Sequence, residues 1–268
     1  MFKTPEPLSP DRHLRLRLAS APDYRYAAAE ALTPFVSGEM WQIAREYITV
    51  FSRQADALPL AVLGTKTSVN GYVGDGNPPW WGRYVPAHLR RYPFVLAPAT
   101  AQTADAPGEQ RFTLYIDTSA PQLNEAEGHP LFKADGQPAE LLQEVQQALL
   151  GLQQDFAITQ ALVKQIDEAG LLTEHAVTVQ QQGREPLALT GFRVVDQAKL
   201  RACAPELLSS LARTGALDFI YAHIGSLSNA IDGLLTKNAA GPQANAMPPG
   251  LDIDALLGGG DGTLKLNF

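Results

Sequence analysis

Between Pro138 and Gly170 the chain carries its most restrictive pattern. Leu142, Val145, Leu149, Leu152, Phe156, Thr159, Val163 and Ile166 recur at alternating three- and four-residue steps. That spacing stacks the side chains along one stripe of an α-helix and is incompatible with the two-residue period of a strand. Pro138 suits a first turn, where its missing N–H costs nothing, and Gly170 suits a stop. One long amphipathic helix is expected, with Thr159 as the single polar residue in its seam. The same stripe would serve a coiled coil or a partner helix, but packing on the chain's own sheet is the commoner use.

Around this helix the pattern is strand-like. Leu14, Leu16 and Leu18 alternate with His13, Arg15 and Arg17, and further strands are expected at residues 48–51, 58–63, 69–73, 94–96 and 112–117. Residues 175–181 and 187–195 flank the turn Gln182-Gly183-Arg184-Glu185 and read as a hairpin. Shorter helices are expected at residues 38–47, from Pro86, and from Pro205. After a break at Gly215 a second seam follows: Leu217, Ile220, Ile224, Leu227, Ile231 and Leu234. The connections are too short for parallel crossovers. The expected fold is α+β: an antiparallel sheet packed by long amphipathic helices, in a single domain over residues 1–237. Residues 238–268 shift to Ala, Gly, Pro and Asp, and read as a flexible tail ending in a strand-like TLKLNF.

Composition narrows the function classes. A hydrophobic fraction of 45% supports a proper core, and no apolar run is long enough to span a membrane. The formal net charge of -7 argues against a general nucleic-acid binder, whose affinity comes from neutralising phosphates. Cys203 is the sole cysteine, and Pro5, Pro7 and Pro10 interrupt any signal-peptide core. A cytoplasmic location is expected, with export by an uncleaved signal left open.

No standard catalytic motif is present. The five histidines, His13, His88, His129, His175 and His223, are scattered one to a segment without metal-ligand spacing, so neither a metal nor a cofactor is expected. Cys203 follows Arg201 just before a helix, a position that lowers a thiol pKa but equally suits a small packed residue. Gly225-Ser226-Leu227-Ser228 lacks the second glycine of a nucleophile elbow. Gly71-Tyr72-Val73-Gly74-Asp75-Gly76 runs into Asn77-Pro78-Pro79 rather than a helix, so nothing there cradles a pyrophosphate. Asp117 ends a strand, where it serves as a candidate acid or starts a turn.

The densest constellation is Trp80, Trp81, Arg83, Tyr84, His88, Arg90, Arg91, Tyr92 and Phe94. Guanidinium forks take carboxylates or phosphates, and aromatic faces stack on flat groups. If these tips face outward, they form a binding surface for a peptide, an anion or a partner chain. If they face inward, the same residues are core, with the arginines paired to the excess acids.

The run Gly82-Arg83-Tyr84-Val85-Pro86-Ala87-His88-Leu89-Arg90-Arg91-Tyr92-Pro93-Phe94 resembles the GRYxPxxLRRYPF signature of the SapC family. Matching stretches follow in order: residues 46–51 before LPLAVLG, Gly170-Leu171-Leu172, residues 189–196, and Gly215-Ala216-Leu217 through Tyr221-Ala222-His223 to Ser226-Leu227. The tail from Asn238 lies outside the resemblance, and Asn77-Pro78-Pro79-Trp80 departs from the family's more polar loop. The family is bacterial and takes its name from a gene beside a surface-layer export system. Relatives stand near outer-membrane receptor and halogenase-like genes. The resemblance implies an accessory role and brings no catalytic residues.

Together these observations favour a non-catalytic binding protein that grips a protein or peptide partner through Trp80, Trp81, Arg83, Tyr84, Arg90, Arg91 and Tyr92. The alternative is an enzyme or small-molecule sensor with an unfamiliar pocket at Arg83, Asp117 and His223. A third reading gives residues 263–268 an addressing or strand-donating role. Oligomeric state is not legible.

Overall fold

A computed structural model describes residues 1–54, 56–74, 79–98 and 112–237. The expected tail at 238–268 lies outside the described residues, as does the turn at 75–78. In chain order the elements are β1 (Pro5–Pro7), α1 (Pro10–His13), β2 (Arg17–Leu18), β3 (Leu32–Pro34), α2 (Met40–Ala44), β4 (Ile48–Val50), β5 (Leu60–Val62), α3 (Ala87–Arg90), β6 (Phe94–Pro98) and β7 (Phe112–Asp117). They continue with β8 (Leu123–Asn124), β9 (His129–Pro130), α4 (Glu140–Glu168), β10 (Leu172–Glu174), β11 (Val177–Val179), β12 (Leu187–Leu189) and β13 (Arg193–Val195). The chain closes with α5 (Gln197–Arg201), α6 (Pro205–Thr214), α7 (Ala216–Ser226), α8 (Asn229–Asp232) and α9 (Leu234–Lys237).

Every strand pairing described is antiparallel, as the short connections require, and the fold is a single-domain α+β. The expected sheet is divided into small ones. Three-stranded sheets run β1-β7-β6, β8-β2-β9 and β3-β5-β4, and the second half adds the pairs β10-β13 and β11-β12. Those two pairs are one hairpin broken by a bulge. Two residues separate Glu174 from Val177, whereas three separate Leu189 from Arg193, and the extra length is absorbed at Gly191 with φ +86°.

Several local expectations are corrected. Residues 14–18 do not form one strand: Pro10 opens α1, which ends at His13, and only Arg17 and Leu18 pair. Residues 69–73 make isolated bridges rather than a strand. There the Asn70 side chain donates to the Ala27 carbonyl and accepts from the Tyr72 N–H, taking over backbone bonds that a ladder would need. The second helical seam is not continuous. The break expected at Gly215 is present, at φ +84° between α6 and α7, but turns after Ser226 split the seam that follows into α7, α8 and α9. The buried face of α7 is Phe219, Ile220, His223 and Ser226, while Ile231 is 69% exposed.

The long helix forms as the periodicity demands, and it spans two hydrophobic clusters. Leu162, Val163 and Ile166 in its C-terminal half pack into the larger cluster with Ile43, Phe51, Leu63, Phe192 and Phe219. Leu142 and Leu149 in its N-terminal half pack with Phe94, Leu96, Ile116, Leu131 and Phe132. Thr159 lies between them and is fully buried. Its hydroxyl donates to the Asp155 carbonyl at 2.6 Å and accepts from the Ser37 N–H at 2.8 Å. The polar residue in the seam therefore pins the turn before α2 to the helix.

Candidate functional site

The signature segment is divided between interior and surface. Trp80, Arg91 and Tyr92 are 5%, 8% and 7% exposed, whereas Trp81 is 52% exposed and Arg83 and Arg90 are also open to solvent. The outward-facing expectation is thus corrected for Trp80, Arg91 and Tyr92. Each has found a partner inside the molecule. The Trp80 indole N–H reaches the Tyr47 hydroxyl and the Tyr84 carbonyl, and its ring stacks on Tyr72. Tyr92 stacks on Tyr26 with centroids 4.3 Å apart and meets Phe2 edge-on. The Arg91 guanidinium lies over the Phe2 ring, 5.5 Å from its centroid, with one nitrogen 3.4 Å from His88 Nε2.

Two glutamates position the outer part of the segment. Glu46 accepts from the backbone N–H groups of Arg83 and Tyr84. Gly82 permits that approach, since a Cβ there would sit 2.8 Å from the Glu46 carboxylate and from the Trp80 indole nitrogen. Buried Glu39 accepts from the Tyr84 hydroxyl at 2.7 Å, from the Ala87 N–H at 2.8 Å and from the Val36 N–H at 3.2 Å. Burial pushes its carboxyl pKa up, against the opposing pull of those hydrogen bonds. Arg90 donates to the Tyr84 hydroxyl at 2.8 Å and lies over its ring.

These groups form one wall of a groove. Val36, Gly38, Glu39, Tyr84, Ala87, Arg90, Arg91, Tyr92 and Phe94 face Val145, Ala148, Leu149, Gly151, Leu152 and Asp155 on α4, and Leu18 completes the lining. The cavity holds about 480 Å³. It sits along the stretch of α4 between the two clusters, where Leu149 is core and a Cβ on Gly151 would meet nothing within 4 Å. The lining is apolar on the helix side, broken by Asp155, and mixed on the other. The α4 wall and Glu39 were not singled out in the sequence. Gly151, a helix breaker in mid-helix and likewise not singled out, is the signal that would have pointed there, because such a glycine costs about 1 kcal/mol relative to alanine.

Asp117 and His223, expected to share a pocket with Arg83, are buried in separate networks, and neither lines that groove. Asp117 accepts from the Lys3 N–H, the Thr4 N–H and hydroxyl, the Ser119 N–H and hydroxyl, and at 3.4 Å the hydroxyl of groove-lining Tyr92. Burial alone would raise its pKa, but these bonds outweigh it and hold the carboxyl below its ordinary value. It ties the N-terminal strand to β7. The Val195 N–H donates to His223 Nε2, which leaves Nδ1 to donate to the Thr49 hydroxyl. The Thr49 hydroxyl then donates to Ser226 Oγ, whose own proton goes to the His223 carbonyl. Ser226 is therefore not activated by the imidazole. Burial pushes the His223 pKa down to about 3, so the ring stays neutral. Cys203 Sγ donates to the Lys199 carbonyl, the packed position weighed above. Among the described residues no group of three or more His, Cys, Asp or Glu could hold a metal ion, and no helix is long and apolar enough to cross a membrane.

The fold and groove define a class: an α+β protein with a small amphipathic cavity and no assembled nucleophile–base pair among the described residues. The model of one family, described as SapC, matches residues 8–232, and the chain belongs to the SapC family. Comparison with curated proteins and with solved structures returned no match.

Proposed function

We propose that this SapC-family chain is a non-catalytic binding protein whose ligand seats an apolar body in the groove between α3 and α4. The observation that carries this reading is the cavity of about 480 Å³ with a mainly apolar lining. Its size falls in the range of about 300–1,000 Å³ typical of small-ligand sites. The absence of an activated nucleophile at Ser226 or Cys203 and the neutral, fully bonded His223 support binding without catalysis.

The test uses the neutral fluorophore N-phenylnaphthylamine and the variant Gly151→Leu. A Cβ at that position meets nothing within 4 Å and leucine favours the helix, so the variant is expected to fold. Dye fluorescence should rise and saturate with the wild type and fall at least tenfold in apparent affinity with the variant. Equal dye binding by both proteins would refute the groove.

A second reading, a protein or peptide partner gripped by the Arg/aromatic segment, is favoured by the exposure of Trp81 with Arg83 and Arg90. It predicts that Trp81→Ala, not Gly151→Leu, abolishes association. Trp80, Arg91 and Tyr92 contribute to it only through the scaffold.

A further inference from the structure

The charge balance of the groove identifies the kind of ligand. Four acidic or basic side chains line it: Arg90, Arg91, Glu39 and Asp155. Glu39 is already spoken for, with its oxygens taken by the Tyr84 hydroxyl and the Val36 and Ala87 N–H groups. The arginines lie over aromatic rings, Arg90 over Tyr84 and Arg91 over Phe2, but lack a counter-charge. Among the described residues neither guanidinium has a carboxylate within ion-pairing distance. The polar partner of Arg90 is a phenol oxygen, and that of Arg91 is a histidine nitrogen at 3.4 Å. Arg91 Nε is buried with no hydrogen-bond acceptor at all. Burial pulls its pKa down to about 10, which leaves it charged at neutral pH. A buried cation without a counter-charge is costly, and it is relieved by an anion that brings its own apolar body.

Resting on the groove reading, we infer that the ligand is a small apolar monocarboxylate, with its hydrocarbon against Val145, Leu149 and Leu152 of α4 and its carboxylate at Arg90 and Arg91. The two arginines supply planar, bidentate donors suited to that group. Asp155 on the helix wall repels a second negative charge and so selects against dicarboxylates.

The experiment is displacement of bound N-phenylnaphthylamine by octanoate, 1-octanol, octylammonium and inorganic phosphate. Octanoate should displace the dye at concentrations at least tenfold below those of octanol, with octylammonium weaker still and phosphate inactive. Arg90→Gln and Arg91→Met should each remove most of the octanoate–octanol difference while leaving octanol unchanged. Arg90 is exposed, so its variant is expected to fold even if the Arg91 variant does not. Octanol displacing as well as octanoate from the wild type would overturn the inference and leave the groove intact. Phosphate competing as well as octanoate would overturn it in favour of a plain anion site. An N-acetylated leucine dipeptide acid binding tenfold tighter than octanoate would overturn it in favour of a peptide C-terminus. Failure of the dye to bind at all would remove the groove, and the inference with it.

Discussion

Replacing Asp117 tests how the N-terminal segment is held over Arg91 and Tyr92. In Asp117→Asn, Oδ1 can keep the four donors from Thr4 and Ser119, and the Tyr92 hydroxyl at Oδ2 can turn to accept, but the new amide nitrogen faces the Lys3 N–H, which now donates at 2.6 Å to Oδ2. One charge-assisted bond is lost and two donors are set against each other. A hydrogen bond to a charged group is worth about 1.5–3 kcal/mol, so the loss should be about 2–3 kcal/mol. Asp117→Ala strands all the donors and should cost more, about 3–5 kcal/mol, limited by water reaching the strand once it detaches. Urea unfolding measures the loss, and amide exchange at residues 3–7 should accelerate in both variants. The pH dependence has a definite sign. The folded carboxyl has a pKa below its ordinary value of 3.8, so its contribution is complete above about pH 4 and is lost as pH falls through the folded pKa. The wild type should lose stability over that acidic range more steeply than Asp117→Asn. A cost below about 0.5 kcal/mol in the alanine variant, or equal acid slopes, would refute the reasoning.

Three further outcomes are expected. Thr159→Val should cost about 1–2 kcal/mol in thermal unfolding by orphaning the Ser37 N–H, and a silent substitution would show that the helix does not anchor that turn. His223 has a folded pKa of about 3 against 6.5 when unfolded, so the unfolded chain binds the extra proton between those values. The stability from this site is complete above about pH 6.5 and erodes as pH falls, by up to about 1.4 kcal/mol per unit, and His223→Gln should flatten urea-midpoint profiles between pH 5 and 7. Gly151→Leu should raise the melting temperature by about 2–4 °C through helix propensity while blocking the groove, whereas a lower melting temperature would show that the space is not free.

The sequence made the elements legible where local pattern and tertiary demand agree. The stripe from Leu142 to Ile166 becomes α4, and alternation in residues 112–117 becomes β7. It failed where side chains compete with backbone, as at Asn70, or where a single glycine resets the geometry, as at Gly191. The candidate site was half legible. Composition drew attention to the arginines and aromatics, yet periodicity could not tell Trp80 from Trp81, adjacent residues of which one is core and the other solvent-exposed. The opposite wall was hidden because Val145, Leu149 and Leu152 read as ordinary seam residues. Only the two-cluster arrangement leaves a gap beside them. Asp117 and His223 drew attention for their chemistry, and both proved to be internal fasteners.

The central claim is that an apolar body occupies the space between α3 and α4. Methyl-labelled protein titrated with octanoate, followed by NMR, tests it most directly. Saturable shifts are expected at the methyl groups of Leu18, Val36, Val145, Leu149 and Leu152, with those of Ile43, Leu63 and Ile220 in the larger cluster unmoved. Shifts scattered over the surface, or none at the groove methyls, would contradict the account.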